Sequence, residues 1–419
     1  MDNLSIYQQL GSKRLEQLDG LRGICALIVL VHHMLSIPHP NTSSIANSKL
    51  LEIVLQILGS MGLIAVIIFF VLSGFVIGYT TPEEYNAVEA KKYLLRRLIR
   101  LYPIYLISLF LTFSLSQNFP SIQNIIGAVF FTQGWFIPQI NNNEPLWTLH
   151  YEFMFYILFV VIWKYKLKVE QTIIGCFFCA ILATFIPFHP LAILGYFTLW
   201  LAGFWLSNNL DKFHIIEEDY NSSFFWTILV LILAFCMQNI LATFVYKHGI
   251  PVSPRPLICN VLTTALVTSF VASLVTKKKI PLLKISSFIL LILIVAALFY
   301  GWKKSALYPD FVFRNGYWAT FILLLILPLT LLLKKVPVRM LKKMSYLGAI
   351  SYALYAIHYP ILIMFNYLST LGNKNLVCPF VLLLFNLLGG LVSILLAWLL
   401  ECHIQPRIAK NLKMSFGLK

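Results

Sequence analysis

Apolar runs near twenty residues long recur along this chain, from residue 17 to residue 400. A helix rises about 1.5 Å per residue, so each run matches the roughly 30 Å hydrocarbon core of a bilayer. Inside that core every backbone N–H and C=O must be satisfied by the chain itself, which leaves helices or closed barrels. Unbroken apolar runs of this length, without period-two alternation, select helices. Twelve spans are expected: 17-37, 53-79, 98-116, 146-163, 172-188, 190-206, 225-245, 257-276, 281-301, 317-333, 346-369 and 378-400. The expected fold is therefore all-α, a polytopic transmembrane helix bundle of about 10–12 spans. Segment 122-136 is apolar but short and flanked by Pro120 and Pro138, which predicts a re-entrant or interfacial piece. Composition agrees: 59% of the residues are apolar and only 11% charged, where a soluble domain has about 25%. A disordered chain and a DNA-binding domain are excluded, and an ordinary soluble enzyme does not fit.

The charge balance is basic, 32 Lys and Arg against 16 Asp and Glu over 419 residues, a formal charge of +16. With the N-terminus placed inside, 25 of the 32 cations fall in inner segments and 7 in outer ones. That asymmetry predicts both termini in the cytoplasm. No cleavable leader and no appended soluble domain are expected, so residues 1-419 read as one integral-membrane domain. Cys176 and Cys179 form a lone CxxC inside an apolar run. Without a second pair or nearby histidines it reads as packing, and no metal is expected.

An ionisable side chain in mid-membrane costs about 2.5–3.5 kcal/mol on insertion scales, so each one needs a reason. Asp19 and Arg22 are spaced i,i+3 and pair on one face of the first span. Arg22 and His33 share a face, separated by about 16 Å along the axis. Glu152 is the one acid well inside a span, at a depth comparable to His33, where it could orient the imidazole as a general base requires. Tyr156, at i+4, is positioned to hydrogen-bond Glu152. Arg96, Arg97 and Arg100 fall on one helix arc, suited to phosphate or to anionic lipid headgroups. Ser351, Tyr355 and His358 make an i, i+4, i+7 polar stripe, with Pro360 expected to kink that helix. Ser73 and Gly74 read as small residues that permit close helix approach. Two readings fit this layout. One is an enzyme that takes a phosphate-bearing donor from the cytoplasm and reacts near His33. The other is a secondary transporter of a small acid or lipid-linked glycan with a His/Glu proton relay.

The ordered motifs resemble the acyltransferase 3 family of integral-membrane O-acyltransferases. They are Leu18-Asp19-Gly20-Leu21-Arg22-Gly23 with His33; Phe69-Phe70-Val71-Leu72-Ser73-Gly74-Phe75; Arg96-Arg97-Leu98-Ile99-Arg100-Leu101-Tyr102-Pro103; Trp147-Thr148-Leu149 followed by Glu152; and Ser351-Tyr352 through His358-Tyr359-Pro360. The resemblance implies transfer of an acyl group, usually acetyl, from cytoplasmic acyl-CoA to a hydroxyl of an extracytoplasmic glycan such as O-antigen, capsule or exopolysaccharide. It implies an inner-membrane location and partners limited to acyl-CoA, a glycan or lipid-linked oligosaccharide, and membrane lipid, with no nucleic acid. It assigns His33, with Glu152 and Arg22, to catalysis, and Arg97 and Arg100 to the acetyl-CoA donor; Arg96, on the same helix arc, is expected to join them at the donor's phosphates. Asp19, Trp147, Tyr355 and His358 are then cavity or acceptor-side residues. Many relatives carry a periplasmic hydrolase-like domain that assists transfer; this chain is expected to act alone or with a separate periplasmic partner. His150 stands where a small residue is expected.

Overall fold

A computed structural model describes residues 15–36, 49–82, 84–116, 120–138, 140, 142–186, 188–209, 257–275, 337–370 and 379–417. The helices are α1 (Glu16–Ser36), α2 (Lys49–Thr80), α3 (Ala87–Ser114), α4 (Ile122–Val129), α5 (Leu146–Tyr165) and α6 (Val169–Phe185). They continue with α7 (His189–Asn208), α8 (Leu257–Val275), α9 (Pro337–Lys343), α10 (Ser345–Thr370), α11 (Pro379–Leu399) and α12 (Gln405–Ser415). A π-helical turn, Leu400–Ile404, joins α11 to α12. No strand occurs among the described residues; Gln133 and Ile137 form an isolated bridge. Among the described residues, six helical stretches are long and apolar enough to cross a membrane: those in α1, α2, α5, α7 and α10, and the run from α11 into α12. The protein is an all-α, multi-pass membrane bundle.

Nine expected spans coincide with described helices, and three (225-245, 281-301 and 317-333) lie outside the described residues. The helix that carries the third expected span starts well before the span itself. Asn86 caps α3 by accepting from the Val88 N–H at 2.8 Å, and nothing between there and Pro103 breaks the helix. The arginine cluster therefore lies inside one continuous helix of 28 residues, not ahead of it.

Two prolines inside helices help explain how the bundle is cross-linked. Pro103 has no N–H, so the carbonyl of Ile99, four residues back, loses its helical donor. Gln405 of α12 supplies the replacement, its amide donating to Ile99 O at 2.8 Å and to Arg100 O at 3.2 Å. Pro360 likewise releases the Ala356 carbonyl in α10. The Ser108 hydroxyl of α3 donates to it at 2.5 Å, joined by the Asn143 amide at 3.4 Å. Each freed carbonyl thus becomes a hook for a side chain from another part of the chain, as an apolar medium demands.

Glycines set the closest helix approaches. A Cβ on Gly74 would lie 1.9 Å from the Trp200 carbonyl oxygen, and one on Gly203 would lie 1.9 Å from that of Val71. This reciprocal contact seats α2 on α7 backbone to backbone, as small residues allow in membrane bundles. The reading of Gly74 as a packing residue is correct. Gly20 and Gly348 do the same for α1 against α9 and α10, facing Leu341 O and Asp19 O.

The short apolar segment folds as α4 followed by a tight turn. Ser121 caps α4, and the hydroxyls of Tyr102 and Tyr105 take its last carbonyls, Val129 O at 3.2 Å and Ala128 O at 2.7 Å. Phe131 adopts φ 55°, a left-handed conformation that a bulky residue avoids. Its ring is stacked between Tyr105 (4.2 Å) and Phe153 (4.6 Å) and is 3% exposed, which offsets the backbone strain. His150 has a structural partner here: its Nδ1 meets Gln133 Oε1 at 2.9 Å and so ties α5 to the turn.

Candidate active site

A cavity opens among α1, α2, α3, α5 and α10. Its charged lining is Arg22 from α1, Arg97 and Arg100 from α3, and Glu152 from α5. Ser73 and Phe69 of α2, Tyr156 of α5, and Ser351, Tyr352 and Tyr355 of α10 complete much of the wall. Three guanidiniums against one carboxylate leave the lining cationic, suited to a polyanionic group.

Each arginine is held differently. Arg22 pairs with Asp19 at 3.2 Å, as the i,i+3 spacing predicts. The Arg97 guanidinium lies over the rings of Tyr93 (5.5 Å) and Tyr156 (5.8 Å). That stacking orients the planar group without consuming its donors. Arg100 forms an ion pair with Glu401 and lies over the Tyr352 ring at 5.6 Å. The Glu401 side chain is 3% exposed and that of Arg100 is 43% exposed. The acid is thus the buried anchor and the arginine the accessible partner. The π-helical turn carries Glu401, a local geometry often found at functional sites. Arg96 differs from the other two: it does not line the cavity and pairs with Glu89 at 3.8 Å. Lys92 donates to the same carboxylate at 2.7 Å, which holds Glu89 below its usual carboxylate range.

Glu152 has other partners than the histidine expected from depth alone. Its Oε1 accepts from Tyr156 at 2.6 Å, as the i+4 spacing predicts, and from Ser73 at 2.9 Å. Ser73 in turn accepts from the Trp200 indole at 3.3 Å. Depth placed Glu152 and His33 at one level, but depth does not specify which helices are neighbours. His33 is bonded across to α10: its Nδ1 lies 3.0 Å from His358 Nε2. The stripe on α10 links the two regions. Ser351 and Tyr355 line the cavity, and His358 sits beyond Tyr355 with ring centres 6.0 Å apart. Tyr355 itself is fixed by a 2.9 Å hydrogen bond with the Thr148 hydroxyl and an edge contact with Phe69. Trp147 packs instead in an aromatic cluster with Phe70, Tyr151 and Tyr196.

Of the expected residues, Arg22, Arg97, Arg100, Glu152 and Tyr355 therefore share one cavity. Asp19 supports it, His358 adjoins it through Tyr355 and Trp147 through Phe70, His33 lies one residue further out as the partner of His358, and Arg96 stands apart. Sequence reasoning missed Ser73, assigned there to packing, as well as Trp200 and Glu401. Glu401 left a signal as one of 16 acids in the chain, placed at the end of a span, and Ser73 as part of the Phe69–Phe75 motif, while Trp200 left none.

No solved structure matches the chain. A curated protein, acyltransferase MdmB of Streptomyces mycarofaciens, is 28% identical over 170 residues, covering 37% of this chain. The matched stretch spans 41% of that protein's length. The family model described as an acyltransferase domain matches residues 15–402, nearly the whole sequence and every helix that lines the cavity. The chain belongs to the acyltransferase 3 family.

Proposed function

We propose that this protein is an O-acyltransferase of the bacterial inner membrane. It moves an acyl group, acetyl in the first instance, from cytoplasmic acyl-CoA to a hydroxyl of an extracytoplasmic glycan or lipid-linked oligosaccharide. Both termini lie in the cytoplasm, and residues 1-419 act as one domain, alone or with a separate periplasmic partner. The observation that carries this reading is the convergence of Arg22, Arg97 and Arg100 with Glu152 on one cavity, in a chain of an acyltransferase family.

In this reading Arg97 and Arg100 hold the donor's phosphates, with Glu401 keeping Arg100 at the mouth of the cavity. Arg22 lines the path onward toward Tyr355. His33 acts as general base on the acceptor hydroxyl. The hydroxyl proton passes to His33, and the oxygen forms a bond to the thioester carbon. The carbon–sulfur bond breaks, and the leaving thiolate takes the proton from His33. The charge of Glu152, held by Ser73 and Tyr156, opposes the arginines and keeps the cavity from binding every anion alike.

Mass spectrometry of surface glycans from cells with and without the protein tests this. Loss of acyl groups from one glycan is the expected result. Unchanged acylation with altered export would instead support a transporter.

A further inference from the structure

Two buried histidines from helices at opposite ends of the chain meet beyond Tyr355, which lines the cavity. His33 Nδ1 lies 2.9 Å from its own helix's Val29 O and 3.0 Å from His358 Nε2. His358 Nδ1 lies 3.0 Å from Leu354 O, again four residues back on its own helix. We infer that His358 is a positioning residue: by accepting a hydrogen bond from His33 Nδ1, it fixes the tautomer that puts the His33 lone pair on Nε2 and makes Nε2 the reacting atom. This rests on the reading of His33 as the base.

The assignment follows from which atoms can only accept. A carbonyl oxygen has no proton to give, so His358 Nδ1 must carry the hydrogen that faces Leu354 O. In a neutral imidazole the other nitrogen is then an acceptor, so His358 Nε2 presents a lone pair to His33. His33 Nδ1 faces that lone pair and the Val29 carbonyl together. Only a hydrogen on Nδ1 avoids opposing two acceptors with a third. The neutral His33 ring therefore keeps its own lone pair on Nε2. Burial protects the arrangement, because His358 is 1% exposed and His33 is 8% exposed, so water competes weakly for these bonds. Rotation is restricted as well. Tyr359 contacts the His33 ring edge-on at 5.0 Å and His32 contacts it at 4.6 Å.

The relay also serves the charged state. When Nε2 takes the hydroxyl proton, His33 becomes an imidazolium whose Nδ1–H still donates to His358 Nε2 and Val29 O. Those bonds are then charge-assisted and stronger. The proton goes on to the departing thiolate, and the pair returns to its starting tautomers. His358 touches neither donor nor acceptor in this scheme and acts only through His33.

The test compares purified wild type with His358→Gln, His358→Leu and His33→Ala, measuring kcat and donor KM separately. Gln offers an amide oxygen in place of Nε2, whereas Leu offers no acceptor. His358→Leu is expected to lower kcat roughly 100-fold, comparable to loss of an oriented general base, with donor KM little changed. His358→Gln is expected to recover most of that loss. In protein labelled with 15N-histidine, wild type should show the unprotonated nitrogen of His33 at Nε2, and the Leu variant a mixture of tautomers. A wild-type kcat in His358→Leu, or equal losses in the Leu and Gln variants, would overturn the role given to His358. Activity retained in His33→Ala is a different result: it removes the base itself, and the role of His358 with it.

Discussion

Replacing Gly74 by alanine puts a Cβ 1.9 Å from the Trp200 carbonyl oxygen, where ordinary contact begins at 3.4 Å. Close-packed helices cannot absorb that overlap locally, so α2 and α7 must separate by ~1.5 Å at the contact. The cost of such overpacking is about 1–3 kcal/mol. The neighbouring Ser73–Trp200 hydrogen bond, already 3.3 Å long, would break and add about 1 kcal/mol. Against these stands the gain of ~1 kcal/mol that alanine brings to a helix interior. The balance is a loss of about 1–3 kcal/mol. Gly175→Ala makes the same chemical change in α6, where nothing lies within 4 Å of the new Cβ. There the propensity gain stands alone, and the variant should be more stable by up to ~1 kcal/mol. Thermal unfolding of both variants in one detergent reads the signs directly: the Gly74→Ala midpoint should fall and the Gly175→Ala midpoint should hold or rise. A Gly74→Ala protein as stable as wild type would refute the backbone-to-backbone seating of α2 on α7.

Gln405→Leu strands the Ile99 carbonyl that Pro103 leaves without a donor, so thermal stability should drop by about 1–3 kcal/mol. The paired change Pro103→Ala with Gln405→Leu should restore part of the loss, because it returns the helical N–H. Arg97→Ala should raise donor KM by tenfold or more, since a charge-assisted contact contributes about 1.5–3 kcal/mol. Arg96→Ala should leave KM unchanged, because Arg96 faces Glu89 and not the cavity. Donor titrations of the two variants side by side distinguish these outcomes, and equal effects would contradict the assignment.

What the sequence made legible is whatever a single helix fixes by its own period. The Asp19–Arg22 pair, the Tyr156–Glu152 bond and the Ser351, Tyr355, His358 stripe are all relations at i+3, i+4 or i+7, and all stand in the structure. Relations between helices were not legible, because periodicity gives the face of a helix but not its neighbour. His33 meets His358, 325 residues away, and Arg100 meets Glu401, 301 residues away. Glu152 and His33 were matched by depth and in fact take different partners. Arg96 and Arg97 share an arc with Arg100 by spacing, yet the lateral turn between adjacent residues sends Arg96 to Glu89 and Arg97 into the cavity. Ser73 shows the same limit from the other side. Its small size predicted close packing, which its neighbour Gly74 provides, while its hydroxyl serves Glu152.

The central claim is that His33 is the base for acyl transfer from a donor held by the cavity arginines. Purified protein reconstituted in lipid, given labelled acetyl-CoA and the glycan from its own host, measures this most directly. Wild type should move the label to the glycan, and His33→Ala should bind the labelled donor with near-normal affinity yet transfer none of it. Label transfer by His33→Ala at the wild-type rate would contradict the claim.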